Sequence, residues 1–107
     1  METVNRNSAL GDFLARYRAA LVILSRESRG MEYGLDQRST ALGRGPGVDL
    51  ALEDDSLRCQ HALVEFCAGH FVLRDLASDD LPVLELKDGD CFRLGRLELQ
   101  FTLNARA

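Results

Sequence analysis

The chain has 107 residues, which is the size of one ordinary domain, and its 46% apolar and 28% charged residues are normal for a folded protein. This composition excludes a disordered chain, and the net charge of −4 argues against nucleic acid as a partner. No stretch approaches the roughly 20 apolar residues of a membrane span, and polar residues interrupt the first segment where a secretory signal needs an apolar core. Three cysteines are odd in number and too few for a disulfide scaffold. We therefore expect a cytoplasmic domain without disulfides or membrane contact, whose free thiols are buried.

The first predicted element is a short amphipathic helix that runs to Ala20, with Ser8 as its N-cap. Its apolar residues recur at spacings of three and four, the period of a helix: Leu10, Phe13, Leu14, Tyr17 and Leu21. We expect a helical extension over residues 1–20 and the main body of the domain over residues 21–107. The apolar stripe either covers the core of its own domain or docks onto another copy, so a homo-oligomer through this helix stays open.

Short runs typical of β-strands follow the helix, separated by turn residues. There are nine of them: LVILS, MEYGLD, STALGR, VDLALE, HALVEF, HFVLRDL, VLELKD, CFRLG and RLELQFTL. The turns lie at GRGPG (43–47), Ala68-Gly69 and Asp88-Gly89-Asp90, and we expect the last two to be hairpins. Strict alternation from Leu97 to Leu103 predicts a half-buried C-terminal strand. The whole pattern predicts an all-β sandwich or barrel.

Residues able to catalyse a reaction or bind a metal are few. The side chains that zinc would prefer fit no known finger spacing: Cys59, His61, Cys67, His70 and Cys91. Cys67 and Cys91 adjoin apolar runs, where cysteine usually behaves as a small buried hydrophobe. Nothing orients a histidine for a Cys/His nucleophilic pair, the acidic run from Glu53 to Asp55 is typical of a solvated turn, and no phosphate-binding P-loop is present. We therefore expect no enzyme, cofactor or metal site, with a zinc-binding protein as the remaining alternative.

The loop from Gly43 to Gly47 carries one guanidinium group, Arg44, among residues that let the backbone approach a ligand closely. Arginine is the side chain best suited to a bidentate grip on phosphate or carboxylate. A solvent-exposed arginine in a flexible turn is the alternative. Taken with the motifs below, the loop indicates an anion site headed by Arg44.

Several short motifs, read in order, resemble a forkhead-associated domain over about residues 21–103. They are Gly43-Arg44, the run VDLALEDDSLRCQHALVEF with His61-Ala62, the segment Asp75-Leu76-Ala77-Ser78, and Gly89-Asp90. The resemblance implies an antiparallel β-sandwich of about eleven strands, whose loops at one end bind phosphothreonine peptides. It also implies that Arg44 contacts the phosphopeptide and that His61 is a structural residue that braces the loops.

The chain departs from the family pattern in the ligand-binding loops. Arg58 stands where the family has a phosphate-binding Ser, three residues before His61, and Ser56 lies two residues too early. Asp79-Asp80-Leu81 replaces the usual Thr-Asn-Gly. A guanidinium strengthens anion binding, since a charge-assisted contact contributes roughly 1.5 to 3 kcal/mol against about 1 for a neutral one. The two carboxylates oppose a phosphate by roughly 0.5 to 4 kcal/mol each.

A third possibility is that Arg58 forms a salt bridge with Asp54, Asp55 or Asp79, which would leave no ligand site on this surface. We predict a non-catalytic interaction module that recognises a phosphothreonine or acidic segment of a protein partner. The predicted anion-binding residues are Arg44, Arg58, Gly45, Ser56 and Ser78. The predicted structural residues are Gly43, His61 and Asp75. The alternative function is a phospho-independent assembly adaptor of the same fold, with contacts from the sheet faces or the N-terminal helix.

Overall fold

Nine short strands and one helix make up the part of the chain that the computed structural model describes, which is residues 6–25, 29–76 and 83–106. The helix, α1, spans Arg6–Arg16. The strands are β1 (Tyr17–Ile23), β2 (Glu32–Gly34), β3 (Ser39–Gly43), β4 (Leu50–Ala51), β5 (Ala62–Cys67), β6 (His70–Asp75), β7 (Leu84–Leu86), β8 (Cys91–Leu94) and β9 (Leu97–Ala105).

The strands form two sheets, one of four strands in the order β2-β1-β9-β8 and one of five in the order β4-β3-β5-β6-β7. Each neighbouring pair is antiparallel except β3 and β4, which run parallel with Leu42 opposite Leu50. The predicted fold class, a mostly β sandwich with one short helix, is confirmed. The described residues contain nine strands, one for each run in the sequence, where the family resemblance implied about eleven.

The core lies between the two sheets and draws on both of them. Its largest fully buried side chains are Phe71, Phe101, Leu21, Leu35, Leu42, Leu94, Leu99, Val64 and Thr40. In β9 the inward side chains alternate with more exposed ones from Leu97 to Phe101, as a half-buried strand requires. The C-terminal strand was therefore predicted correctly.

The helix ends four residues earlier than predicted, and residues 17–20 belong to β1. Every residue of β1 has a partner in β9, from Tyr17 opposite Ala105 to Ile23 opposite Leu99. This long ladder satisfies the backbone groups of the segment, so pairing with a distant strand overrides the local helical period. Ser8 lies within the helix instead of capping it.

The helix packs on its own sandwich. Leu10 is 7% exposed and belongs to the core, and the Phe13 ring lies 5.1 Å from that of Phe66 and 5.7 Å from that of Phe71. The last turn of the helix is held by Arg106, whose backbone N–H donates to the Arg16 carbonyl at 2.7 Å and whose Nε donates to the Leu14 carbonyl at 2.6 Å. Donors at a helix C-terminus satisfy carbonyls that have no partner within the helix. The apolar stripe therefore covers the domain's own core.

Two predicted hairpins have different outcomes. The Ala68-Gly69 turn joins β5 to β6 with positive φ at both residues, 54° and 87°, as a two-residue hairpin requires. The turn from Asp88 to Asp90 is not a hairpin, because β7 and β8 lie in different sheets. The next turn along the chain, Gly95-Arg96, is a hairpin that joins β8 to β9. Among the described residues, no helix is long and apolar enough to cross a membrane.

Candidate functional site

Two loops meet beside Arg44, the segment that follows β3 and the segment that precedes β5. The backbone N–H of Arg44 donates to the Arg58 carbonyl at 2.9 Å, and that of Gly45 donates to the Cys59 carbonyl at 3.3 Å. These two bonds join the loops along their backbones. Arg44 and Arg58, 14 positions apart in sequence, are therefore adjacent in space, and both side chains are exposed.

Glycine is required where the two loops touch. A Cβ atom at position 43 would collide with the carbonyl oxygen of Cys59 and lie 2.8 Å from its carbonyl carbon. A Cβ atom at position 45 would lie 2.9 Å from the Cβ atom of Cys59 and 3.3 Å from its Cα atom. A side chain at either position would push the loops apart. Gly43 and Gly45 thus set the distance between the arginine-bearing segments, and the N–H of Gly45 is already used between the loops.

His61 holds three segments together from a buried position, with 8% of its surface exposed. Its Nδ1 accepts a hydrogen bond from the Arg58 N–H at 3.1 Å. Its backbone N–H donates to the Leu42 carbonyl at 2.8 Å, and its carbonyl accepts from the Leu76 N–H at 2.8 Å. Asp75, at the end of β6, lies opposite Ala62 in the sheet. The acceptor role of Nδ1 requires that this nitrogen carry no proton.

The guanidinium of Arg44 is 46% exposed and forms an ion pair with a described carboxylate. Its Nη1 lies 3.7 Å from Oδ1 of Asp55, whose side chain is 95% exposed. Among the described residues, Arg58 forms no ion pair. Two of the carboxylates considered as its partners pair with other arginines: Asp55 with Arg44, and Asp54 with Arg96. Because an ion pair at such an exposed position is weak, the Arg44 guanidinium remains able to exchange the Asp55 carboxylate for another anion.

Ser56 is directed into the protein. Its hydroxyl donates to Oδ1 of Asp54 at 2.6 Å and accepts from the Arg96 N–H at 2.8 Å. Its own N–H donates to the same Asp54 oxygen at 2.9 Å, and Nη2 of Arg96 lies 3.6 Å from that oxygen. A Cβ atom at Gly95 would collide with the Ser56 hydroxyl. We call Asp54, Ser56, Gly95 and Arg96 the bracket, because they tie the loop before β5 to the β8–β9 hairpin of the other sheet.

The contacts of the bracket were not predicted from the sequence, because no local motif indicates them. Ser56 and Arg96 are 40 residues apart, and neither belongs to a motif whose spacing points to the other. Ser78 lies outside the described residues, as do Asp79 and Asp80, so the predicted contribution of that segment stays a prediction.

The cysteine and histidine residues that were weighed as zinc ligands do not come together. Cys59 and His61 lie at one end of β5, and Cys67 and His70 lie at the other. The described part of the chain contains no group of three or more side chains able to hold a metal. All three cysteines are free thiols and all are exposed, so the expectation that they are buried was wrong.

The exposure of these thiols follows from strand geometry. Cys67 is the last residue of β5, at the edge of a tight turn. In β8, Phe92 and Leu94 face the core, so the alternating pattern turns Cys91 outward. The adjoining apolar runs therefore predicted the strands correctly but not the side on which each cysteine lies.

Comparison with known proteins identifies the family. The model of the FHA domain family matches residues 40–95, more than half of the 107-residue chain. The FHA domain of the CT664 protein from Chlamydia trachomatis superimposes with a TM-score of 0.70 at 23% identity, covering 79% of this chain and 96% of that one. Mycobacterium tuberculosis EmbR, solved with a low-affinity phosphopeptide, gives a TM-score of 0.72 at 24% identity over 84% of this chain and 25% of its own length.

A further FHA structure, solved in work on phosphothreonine-dependent FHA interactions, gives a TM-score of 0.68 at 25% identity and covers 79% of this chain and 95% of that one. No curated protein matches the sequence. The family model spans β3 to the turn after β8, so it contains both loops that meet at Arg44. The chain belongs to the forkhead-associated (FHA) domain family.

Proposed function

We propose that this domain is a non-catalytic module that binds a phosphorylated segment of a protein partner through Arg44 and Arg58. The observation that carries the proposal is the backbone hydrogen bond from Arg44 to the Arg58 carbonyl, which brings two exposed arginines into adjacent loops. A phosphate at this position would meet guanidinium donors from both loops. Each charge-assisted contact contributes roughly 1.5 to 3 kcal/mol.

Family membership supports the class of ligand. The FHA structure at 25% identity comes from work on phosphothreonine-dependent interactions, and this chain retains the Gly43-Arg44 pair and His61 of the family motif. Arg58 supplies a charge where the family has a serine hydroxyl. We therefore propose phosphothreonine as the ligand group, with Arg58 in the role of the missing serine.

The proposed anion site differs from the sequence expectation in one residue. Ser56 was expected to bind the anion, but both hydrogen bonds of its hydroxyl are made within the bracket. Turning this hydroxyl toward a ligand would break both bonds, so we leave Ser56 out of the site. Gly45 lets the backbone approach the anion closely, and the contact between Ser78 and the anion stays a prediction.

A second candidate function is a phospho-independent adaptor with the same fold. The pairing of Arg44 with Asp55 favours it, because that carboxylate already neutralises the arginine expected to bind phosphate. The two candidates differ in their dependence on phosphate and on Arg44. An adaptor of this kind would bind its partner equally well after loss of the Arg44 guanidinium.

Calorimetry with matched phosphothreonine and threonine peptide libraries tests the proposal. We expect binding of the phosphorylated library only, and a loss of about tenfold to 100-fold in affinity in Arg44→Ala and in Arg58→Ala, from one lost charge-assisted contact each. Arg93→Ala is the matched control, since it removes an exposed arginine from β8 and should leave binding unchanged. Equal binding of both libraries, or equal effects of Arg44→Ala and Arg93→Ala, would refute the proposal.

A further inference from the structure

The bracket holds the backbone on both sides of Asp55. Asp54 and Ser56, the residues on either side of it, are both held by hydrogen bonds, and Ser56 is also tied to the β8–β9 hairpin. The Leu57 N–H donates to the Asp54 carbonyl at 3.0 Å and closes the turn around Asp55. These bonds hold the backbone around Asp55, and because an aspartate side chain is short, its carboxylate stays near that backbone. The Asp55 carboxylate is therefore kept at the tip of the loop, beside Arg44.

The carboxylate at this tip is exposed to 95%, and within the described part of the chain it pairs with the Arg44 guanidinium at 3.7 Å. A ligand phosphate that takes Arg44 displaces this carboxylate, but the bracket keeps it close by. If Oδ1 of Asp55 stays near its present distance of 3.7 Å from the guanidinium, a phosphate within about 3 Å of the guanidinium lies within about 7 Å of that oxygen. This distance is shorter than the screening length of about 8 Å at physiological ionic strength. The bound ligand therefore remains in the field of an unpaired negative charge.

Residues next to a phosphothreonine come within reach of the same carboxylate. Neighbouring Cα atoms in a peptide are about 3.8 Å apart, and a lysine or arginine side chain adds several more ångströms of reach. A basic neighbour can replace Arg44 as the partner of Asp55, whereas an acidic neighbour meets the Asp55 carboxylate with the same sign of charge.

We propose that Asp55 is a specificity-determining residue of the phosphopeptide site, which selects ligands with lysine or arginine beside the phosphothreonine and disfavours ligands with aspartate or glutamate there. This inference rests on the proposed function. In the unliganded domain the Asp55 carboxylate pairs with the Arg44 guanidinium. In the complex it pairs with the basic residue beside the phosphothreonine. The partner is thus a segment in which a phosphate and a basic residue are adjacent.

The test uses phosphothreonine peptides whose sequence is degenerate except at the two residues flanking the phosphothreonine, which are fixed as alanine, lysine or glutamate. Affinities are measured by calorimetry at low ionic strength for the unmodified domain, for Asp55→Asn and for Asp12→Asn. Asp12 is an exposed aspartate on α1, so its replacement is a matched control for the loss of one charge. We expect the unmodified domain and Asp12→Asn to bind the lysine set about two- to fivefold more tightly than the alanine set, and the glutamate set more weakly by a similar factor.

In Asp55→Asn we expect these differences to disappear, while the alanine set binds about two- to fivefold more tightly because nothing competes for Arg44. If Asp55→Asn changes all three affinities by one common factor, Asp55 only competes with ligands, and the inference is wrong. It is also wrong if the three sets bind the unmodified domain equally. Binding of phosphorylated peptides in either case leaves the proposed function intact. A failure of every phosphopeptide set to bind the unmodified domain would overturn the proposed function and this inference with it.

Discussion

Replacement of His61 by alanine removes the acceptor that holds the loop bearing Arg58. The lost contact is the 3.1 Å hydrogen bond from the Arg58 N–H to Nδ1, and the lost packing is that of an imidazole ring in a residue only 8% exposed. The hydrogen bond contributes about 0.5 to 1.5 kcal/mol, and removal of the buried ring costs a further 1 to 2 kcal/mol, roughly. We therefore expect the free energy of unfolding to fall by about 2 to 3 kcal/mol.

For a domain of this size such a loss lowers Tm by about 10 to 20 °C. Urea denaturation and thermal melting measure it, and hydrogen exchange of the Arg58 amide reports the bond itself. Asn is the informative second substitution, because its carboxamide oxygen takes nearly the same position as Nδ1. His61→Asn should recover about 1 kcal/mol and part of the amide protection. Unchanged stability in His61→Ala, or unchanged protection of the Arg58 amide, would refute the view that His61 braces this loop.

Two other predictions concern the helix and a tyrosine. Phe13→Ala removes the ring contacts with Phe66 and Phe71, and we expect a loss of about 1.5 to 3 kcal/mol in urea denaturation; wild-type stability would contradict packing of α1 on the sandwich. Burial, with the nearby carboxylates of Asp49 and Asp36, raises the pKa of Tyr33 above its usual value of 10.0. The raised pKa favours the neutral phenol in the folded state, so its contribution is complete below about pH 10 and is lost as pH rises further. Above that pH, the free energy of unfolding should fall less steeply in Tyr33→Phe than in the unmodified domain. If it falls equally steeply in both, the pKa of Tyr33 is not raised by folding.

The local sequence pattern predicted the strands well, because the alternation of apolar and polar residues that marks a strand involves only neighbouring positions. The alternation from Leu97 to Phe101 appears directly as alternating burial in β9. Ala68-Gly69 forms the predicted two-residue turn, and Gly69 supplies one of its positive φ angles at no steric cost. The same holds for the family motifs: Gly43-Arg44 and His61 could be recognised without coordinates, and in the structure they lie at the junction of the two loops.

Pairing between distant segments could not be read in this way. The helix was predicted to run to Ala20 because the apolar period continues through Tyr17 and Leu21, yet pairing of this segment with β9 makes it a strand. Likewise, Asp88-Gly89-Asp90 has the composition of a hairpin turn, but the strands that it joins find their partners in different sheets. In both cases local preference was outweighed by hydrogen bonds to residues far along the chain.

The sequence by itself determined the family, the mostly β sandwich and the two arginine-bearing loops, since each depends on residue types at short spacing. Only the tertiary structure decided how those loops are held. The bracket joins Ser56 to Arg96 across 40 residues, turns the serine hydroxyl inward and leaves Asp55 beside Arg44. The physical reason is that the energy of a polar contact depends on distance in space, and only the packing of one sheet on the other brings these groups within a few ångströms.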